Sequence, residues 1–246
     1  MAERLHIAAI VVAAGSGTRM GTTEKKQFLP VNGLPLMAWP LLAFEKNPAI
    51  DQIVLVTGEE DLDRALKMCM DLRLSKVKNI VAGGDKRFRS VYRGLLALEP
   101  TTDYVLIHDG ARPCLTQEVI RNCIKGAVQE KACVAAVKEK NTIKRSDGNG
   151  HAAETLDRDR LYEVQTPQAF DYRLILRAYY DLKRTIEEYG TDEAKITDDA
   201  VVVENMTETK VAFVEGDYRN IKVTTPEDLI VAEAFLQHGE ERGADG

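Results

Sequence analysis

The stretch IAAIVVAAGSGTRMG, residues 7–21, joins an apolar run directly to a glycine-rich segment. Residues 7–13 are small or branched aliphatic, which is typical of a parallel strand that is buried on both faces. Small residues after such a strand let backbone N–H groups approach an anion closely, and Arg19 and Lys26 add positive charge. The pattern predicts a strand followed by a phosphate-binding loop. A tight turn with solvated basic residues is the alternative.

The sequence of this loop differs from two common nucleotide-binding motifs. The Walker pattern requires Gly-Lys-Ser/Thr, and the dinucleotide-binding fingerprint requires a third Gly or Ala shortly after its second Gly. Gly17 is instead followed by Thr18-Arg19-Met20. The loop therefore indicates a phosphate site of another kind.

Short runs rich in Val, Ile and Leu alternate with stretches of helical periodicity along the rest of the chain. The alternation predicts an α/β, Rossmann-like fold in which helices flank a mostly parallel, twisted sheet. The predicted strands are residues 7–13, 52–57, 79–82, 104–108, 132–137, 210–214 and 220–223. The predicted helices are residues 61–74, 87–98, 116–129 and 172–189, a short one beginning at Thr197, and a last one that Thr225 caps and Pro226 begins.

Residues 139–160 interrupt this alternation. The segment is strongly charged, and Ser146-Asp147-Gly148-Asn149-Gly150 within it is a turn signal. Because it is too polar to be buried in the core of a monomer, we predict a β-hairpin arm that projects from the domain. We expect one domain over residues 1–238, including this arm, and a frayed tail at 239–246.

Composition argues against several classes of protein. The 246 residues include 33 Lys and Arg against 39 Asp and Glu, a net charge of −6, which does not supply the basic surface that nucleic acids need. The apolar runs are too short to span a bilayer, and the first residues do not resemble a signal peptide, so we expect a cytoplasmic protein without membrane contact. The four Cys and four His follow no metal-site spacing, and we expect His108 to be structural.

Several motifs, in order along nearly the whole chain, carry a resemblance to a known family. With AAGSGTRMG and KQFL, which resemble the opening of the sugar-nucleotide pyrophosphorylases, they are similar to the 2-C-methyl-D-erythritol 4-phosphate cytidylyltransferases of the non-mevalonate isoprenoid pathway. The further motifs are GGD at 83–85, RSV at 89–91, HDGARP at 108–113, TIK at 142–144, QTPQ at 165–168, ITDD at 196–199 and NIKVT at 220–224. The resemblance implies transfer of a cytidylyl group from CTP to a sugar-alcohol phosphate, with Mg²⁺, in a homodimer.

The resemblance also implies roles for individual residues. The catalytic residues would be Arg19, Lys26 and Lys222, where Lys222 read without the resemblance is an edge-strand lysine that points to solvent. The nucleotide-binding residues would be Ala13, Ala14, Gly15, Ser16, Gly17, Gly84, Asp85, Ser90 and Gly110. The residues that bind the sugar-alcohol phosphate would be Asp109, Arg112, Thr142, Arg158, Thr166 and Thr197, and Asp109 would also hold the metal ion.

Thr142 and Arg158 fall in the polar arm, which the family uses to interlock two subunits and to complete the neighbour's pocket. Lys25 stands where the family usually has Pro, and Gly110 where Ala is commoner.

Three alternative functions are left open at this point. A ribitol-5-phosphate cytidylyltransferase would share the fold and most of the motifs. An NAD(P)-dependent oxidoreductase would use the same strand and loop, but with the wrong glycine spacing. A noncatalytic nucleotide sensor would have no need of Arg19, Lys26, Asp109 and Lys222 together, because such groups serve the transition state.

Overall fold

A seven-stranded sheet forms the centre of the structure, a computed structural model that describes residues 4–15, 24–190 and 192–244. The strands are β1 (Ile7–Val12), β2 (Pro30–Val31), β3 (Leu34–Pro35), β4 (Gln52–Thr57), β5 (Val77–Ala82), β6 (Tyr104–Asp109), β7 (Ala132–Lys138), β8 (Lys144–Ser146), β9 (Ala152–Thr155), β10 (Tyr162–Asp171) and β11 (Ala212–Glu215). The helices are α1 (Ala38–Lys46), α2 (Leu62–Asp71), α3 (Arg87–Leu96), α4 (Gln117–Glu130), α5 (Tyr172–Tyr189), α6 (Asp199–Met206) and α7 (Pro226–Ala244).

The strand order of the main sheet is β11-β7-β10-β6-β1-β4-β5. β1 pairs in parallel with β4 and β6, β4 with β5, and β7 with β11. β10 is antiparallel to both of its neighbours, β6 and β7. The predicted α/β fold with a mostly parallel sheet and flanking helices is therefore confirmed.

Burial on both faces explains why β1 is apolar at every position. Ala9 and Val11 face a core that α1, α2 and α4 cover. Ala8 and Ile10 face a second core on the opposite side, which α3, α5 and α6 cover. Since successive side chains of a strand point to opposite faces, a strand between two helical layers requires a continuous apolar run.

The predicted arm is present as a separate two-stranded hairpin. β8 and β9 pair antiparallel with each other, and every residue of both strands is exposed. The turn signal around Gly148 connects them, with Gly148 and Gly150 at positive φ. The hairpin accordingly stands outside the main sheet.

The carboxyl-terminal region differs from prediction at one place. Residues 220–223 were expected to form a strand, but they lie outside all strands of the structure. Val223 is fully buried, and its N–H donates to the carbonyl of Ala111 at 2.8 Å, in a loop. The apolar pattern thus reported burial and not sheet pairing.

The last helix begins at Pro226 as predicted, and the Asp228 carboxylate accepts the N–H of Thr225 at 2.9 Å in the manner of a capping box. Its backbone continues to Ala244, into the predicted tail, so fraying of that tail in solution stays a prediction. In the described parts of the chain, no helix has the length and apolarity needed to cross a membrane.

Candidate active site

The candidate site is a cleft at the carboxyl ends of β1 and β6. The chain runs from β1 to β4 and β5 on one side and then returns to β6 on the other, which makes the boundary between β1 and β6 a topological switch point. Val12 and Asp109, the last residues of the two strands, are register partners there. The cleft encloses about 570 Å³ and is lined by Val12, Ala13, Ala14, Gly15, Lys26, Gln27, Gly84, Asp85, Lys86, Arg87, Ser90, Asp109, Gly110, Ala111, Lys222 and Thr224.

Most of the residues expected to bind the nucleotide line this cleft. They are Ala13, Ala14, Gly15, Gly84, Asp85, Ser90 and Gly110. Ser16, Gly17 and the expected catalytic residue Arg19 lie outside the described residues. The structure therefore brings together the strand end, the loop after β5 and the loop after β6.

The loop after β5 packs closely against the end of β1. A Cβ on Gly83 would lie 2.3 Å from the Cβ of Ala14, so this approach requires glycine. The Ser90 hydroxyl, which is buried, accepts the N–H of Gly84 at 3.0 Å. Asp85 is exposed and pairs with Arg89 at 2.6 Å, which lowers the pKa of Asp85. The loop thus presents a fixed backbone and one ionised carboxylate at the cleft.

Asp109 lies between two cationic side chains. Lys222 Nζ is 2.6 Å from its Oδ2, and Arg87 Nε is 3.0 Å from its Oδ1. Burial alone would raise the pKa of Asp109, but Arg87 and then Lys222 outweigh it and hold the pKa well below its usual range. These two cations therefore hold Asp109 in its ionised form.

Arg87 connects this carboxylate to a second one beneath the cleft. Its two terminal nitrogens lie 3.0 and 2.9 Å from the oxygens of Asp199, a fully buried residue at the start of α6. Asp199 also accepts the Tyr179 hydroxyl at 2.6 Å. Burial opposes the charge of Arg87, but Asp199 and Asp109 raise its pKa well above the ordinary value. The HDGARP and ITDD motifs therefore meet through Arg87.

Lys26 also lines the cleft. It lies on a 3₁₀ turn, Lys26–Phe28, and its Nζ donates to the carbonyl of Val223 at 2.8 Å. Val223 follows Lys222 directly, so Lys26 binds the backbone next to the other lysine expected to be catalytic. Both line the cleft together with Asp109.

Thr166 and His108 hold Asp109 from below. The Thr166 hydroxyl accepts the N–H of Asp109 at 3.1 Å and lies 3.1 Å from His108 Nδ1. Since His108 Nε2 faces the carbonyl of Arg112 at 3.1 Å, Nε2 carries the proton and Nδ1 accepts from Thr166. Burial lowers the pKa of His108 to about 4, so the ring is neutral and, as expected, placed for structure.

Arg112 and Thr166, expected to bind the sugar-alcohol phosphate, are buried beneath the cleft and are not among its lining residues. Arg112 Nη1 donates to the carbonyl of Asn220 at 2.7 Å, and the Asn220 amide donates to the carbonyl of Thr166 at 2.7 Å. Within the described chain, Arg112 Nε is buried with no hydrogen-bond acceptor in reach. That nitrogen is a buried donor without a protein acceptor in the part of the chain that the structure describes.

Three further expected substrate contacts lie apart from the cleft of this chain. Thr142 and Arg158 belong to the arm and are exposed, with Arg158 Nη1 donating to the carbonyl of Lys140 at 3.1 Å. Thr197 is exposed in the loop before α6. Sequence reasoning assigned no site role to Arg87, Lys86, Gln27 or Thr224, which the structure places in the cleft wall.

Comparison with known proteins assigns the family. The family model of 2-C-methyl-D-erythritol 4-phosphate cytidylyltransferase, IspD, matches residues 7–238. The chain belongs to the IspD family. It is accordingly a nucleotidyltransferase that forms 4-diphosphocytidyl-2-C-methyl-D-erythritol in the non-mevalonate isoprenoid pathway.

Relatives and solved structures agree with this assignment. The 2-C-methyl-D-erythritol 4-phosphate cytidylyltransferase of Clostridium beijerinckii is 41% identical over 94% of this chain and 99% of its own length. That of Pelotomaculum thermopropionicum is 43% identical over 97% and 98% of the two chains. The structure of 4-diphosphocytidyl-2C-methyl-D-erythritol synthase from Anaerococcus prevotii is similar with a TM-score of 0.80, at 35% identity over 95% and 96%.

Membership of the IspD family decides between the functions left open by the sequence. The two alternatives of an oxidoreductase and a noncatalytic sensor are wrong, because the family is one of nucleotidyltransferases. The three relatives carry methylerythritol in their names, which favours methylerythritol 4-phosphate over ribitol 5-phosphate.

Proposed function

We propose that the cleft between β1 and β6 is where CTP and 2-C-methyl-D-erythritol 4-phosphate react. The observation that carries this is that Lys26 and Lys222 both line the cleft beside the ionised Asp109: Lys26 donates to the carbonyl of Val223, and Lys222, the residue before Val223, pairs with Asp109. Two cations at the mouth of a crevice at a switch point suit a triphosphate. The residues that line the cleft are therefore the candidates for binding the two substrates and for stabilising charge during the transfer.

The base and ribose of CTP would occupy the side formed by the loop after β5. Gly84, Asp85 and Ser90 offer backbone groups, a carboxylate and a hydroxyl, and the close packing of Gly83 on Ala14 fixes their positions. Ala13, Ala14 and Gly15, with Ser16 and Gly17 beyond them in sequence, would surround the phosphates, because their small side chains expose backbone N–H groups. Gly110 would complete the nucleotide side from the loop after β6.

The chemical step exchanges one phosphoanhydride bond for another. A phosphate oxygen of methylerythritol 4-phosphate forms a bond to the α-phosphorus of CTP, the bond from that phosphorus to the bridging oxygen breaks, and pyrophosphate leaves with the electron pair. Negative charge grows on the equatorial oxygens and on the leaving group, so fixed cations accelerate the step more than a side-chain nucleophile would. Lys26, Lys222 and Arg19 would supply them.

Asp109 fits the requirements of a magnesium ligand in this cleft. Mg²⁺ is commonly held by one or two carboxylates together with substrate phosphates, and the described residues hold no cluster of three or more metal-ligating side chains that would make a cage without substrate. Bound Mg²⁺ supplies charge neutralisation at the phosphate oxygens. Asp109 is ionised, but both of its oxygens already pair with cations. The half-exposed Lys222 is the partner that can move away.

The methylerythritol phosphate would lie next to Asp109 in the cleft, above the buried Arg112 and Thr166. Thr197, expected to bind it as well, does not line the cleft in this structure. The unmet Nε of Arg112 is a buried donor suited to an anionic or hydroxyl-bearing group. Thr142 and Arg158 are exposed on a hairpin that stands outside the main sheet. We propose that Thr142 and Arg158 act in the pocket of a second copy, in a homodimer formed through the 139–160 arm. The cytoplasmic location expected from the sequence stays a prediction.

The test is an assay of pyrophosphate release with CTP, ATP, UTP and GTP, each with methylerythritol 4-phosphate and with ribitol 5-phosphate. We expect turnover with CTP and methylerythritol 4-phosphate. Lys26→Ala should lower kcat/KM by about 10²-fold with an unchanged melting curve, because it removes charge needed in the transition state. Lys183→Ala, on the exposed side of α5, is the matched control. Near-normal turnover by Lys26→Ala would refute the assignment of the cleft.

A further inference from the structure

Two adjacent lysines at the edge of the cleft take different partners. Lys26 reaches into the cleft, where its Nζ donates to the carbonyl of Val223 at 2.8 Å. Lys25 points away, toward the short turn after β4, where its Nζ lies 2.7 Å from Asp61 Oδ2 and also contacts the Glu60 carboxylate. The charge of Lys25 is therefore matched by protein groups, and Lys25 is not among the residues that line the cleft.

Further contacts tie the same short segment to the same part of the molecule. Glu24 accepts two hydrogen bonds from the Arg64 guanidinium, at 2.7 and 3.2 Å. The guanidinium carbon of Arg64 also lies 3.8 Å from the ring centroid of Phe28, in cation–π contact. Residues 24–28 are thus fastened at three points to the start of α2.

The two carboxylates that bind Lys25, those of Glu60 and Asp61, form an anchor whose position is fixed by its surroundings. Asp61 is 7% exposed and directly precedes α2. A Cβ at Gly58 would lie 2.8 Å from Asp61 Oδ2 and 3.2 Å from Glu60 Oε2, so the glycine leaves the space that both carboxylates occupy. Since Gly58 follows the last residue of β4, the anchor belongs to the same edge of the sheet as the cleft.

We propose that Lys25 is a positioning residue: its contacts with Asp61 and Glu60 hold Lys26 in place for the triphosphate before the nucleotide arrives. The inference rests on the proposed role of the cleft in binding CTP. A loop that is ordered in advance loses less conformational freedom on binding, so the benefit falls on affinity more than on the chemical step. Lys25 itself does not touch the nucleotide.

Three substitutions separate position from charge. Lys25→Ala removes both the ion pairs and the charge, whereas Lys25→Arg keeps the charge and can still reach the carboxylates. Lys25→Pro removes the charge but restricts the backbone, and the φ of −66° at Lys25 already suits proline. Its cost is one exposed hydrogen bond, from the Lys25 N–H to Glu24 at 3.1 Å.

The kinetic readout is the split between KM and kcat. For Lys25→Ala we expect KM for CTP to rise about tenfold, with kcat within about twofold of wild type and KM for the second substrate unchanged. In Lys25→Arg and in Lys25→Pro, KM for CTP should stay within about threefold of the wild-type value. Gly58→Ala, which displaces the Asp61 carboxylate, should raise KM similarly and should not add to the effect of Lys25→Ala. Lys67→Ala breaks an ion pair with Asp71 on the surface of α2 and is the matched control.

Amide hydrogen exchange provides a readout without substrate. The Phe28 N–H donates to the carbonyl of Lys25 at 2.9 Å, and its protection in the free protein should fall about tenfold in Lys25→Ala and be retained in Lys25→Pro. This result is independent of whether the enzyme uses CTP, so it distinguishes failure of the inference from failure of the proposed function. An unchanged KM in Lys25→Ala would overturn the inference. The inference would also be overturned if Lys25→Pro kept the protection of the Phe28 amide but showed a raised KM for CTP, because the charge of Lys25 would then act on the nucleotide directly.

Discussion

Arg87 forms a two-pronged ion pair with Asp199 while its third nitrogen holds Asp109, so one partly buried guanidinium connects the floor of the cleft to the start of α6. Arg87 and Asp199 are 112 residues apart in sequence. The planar fork of an arginine suits this geometry, and a lysine could not reproduce it.

Asp199→Asn should therefore destabilise the protein and weaken catalysis together. It leaves Arg87 with one carboxylate and breaks an ion pair whose Asp199 end is fully buried, so we expect the free energy of unfolding to fall by about 3–5 kcal/mol. Because the Asp199 carboxylate would no longer hold Arg87 in position against Asp109, kcat/KM below the melting temperature should fall by about tenfold. Tyr179→Phe, which removes only the hydroxyl bond to Asp199, is the control and should cost about 1–3 kcal/mol. Denaturant melts and initial rates measure both, and a stable, fully active Asp199→Asn would contradict the account.

Lys222 and a divalent cation should compete for the Asp109 carboxylate. Lys222→Met removes a positive charge 2.6 Å from Asp109 Oδ2, so metal affinity of the CTP-bound protein should increase several-fold even as turnover falls. Mn²⁺ titration followed by electron paramagnetic resonance, with CTP present, measures the affinity. Asp109→Asn should bind Mn²⁺ much more weakly, and excess chelator should stop turnover of the wild-type enzyme. Equal Mn²⁺ affinity in wild type and Lys222→Met would argue that the metal binds elsewhere.

The arm should act on the partner's pocket. If Arg158 serves the second subunit, a dimer of one Lys222→Ala chain and one Arg158→Ala chain contains one pocket with both residues intact. We expect the purified mixed dimer, obtained by co-expression with two tags, to show about half of wild-type activity, whereas each parent is inactive. A mixed dimer no more active than its parents would place Arg158 in the pocket of its own chain.

His108 should impose a pH dependence on stability. Its pKa falls from about 6.5 in the unfolded chain to about 4 in the buried site, so the unfolded state binds the proton more tightly between these values. Stability from this residue is fully present above pH 6.5 and is lost as the pH falls to about 4, by about 3 kcal/mol. His108→Gln should flatten that part of the profile, since glutamine can donate to the Arg112 carbonyl without titrating. Urea midpoints at intervals from pH 7 to pH 4 test this, and equal slopes in the two proteins would count against it.

The parallel strands could be predicted because burial on both faces leaves a local signature. β1 is apolar throughout since α1 lies against one face and α3 against the other. The same signature led to the wrong prediction of a strand at residues 220–223, where Ile221 and Val223 pack into a small hydrophobic cluster without joining a sheet. Hydrophobic pattern reports which side chains are buried, while strand pairing also depends on which backbone lies alongside.

Two features escaped prediction for different reasons. The β2–β3 hairpin has a local signal that was available, Asn32-Gly33 with both residues at positive φ. The Arg87–Asp199 pair has none, because nothing in the spacing of either motif specifies a partner more than a hundred residues away. Arg112 and Thr166 were expected at the site from the family resemblance, but their burial beneath it depends on tertiary packing that no local pattern encodes.

The irregular segment that carries Lys222 bears on the timing of the reaction. The backbone is held on both sides of this lysine, by the Ile221 N–H to Arg219 at 2.7 Å and by the Val223 N–H to Ala111 at 2.8 Å. Transfer of the lysine from Asp109 to an arriving phosphate therefore needs only side-chain rotation, which takes picoseconds to nanoseconds at half-exposed positions. A typical enzyme turns over about ten times per second. We expect the slow event of the cycle to lie in bond exchange or in departure of pyrophosphate, and not in the rotation of Lys222.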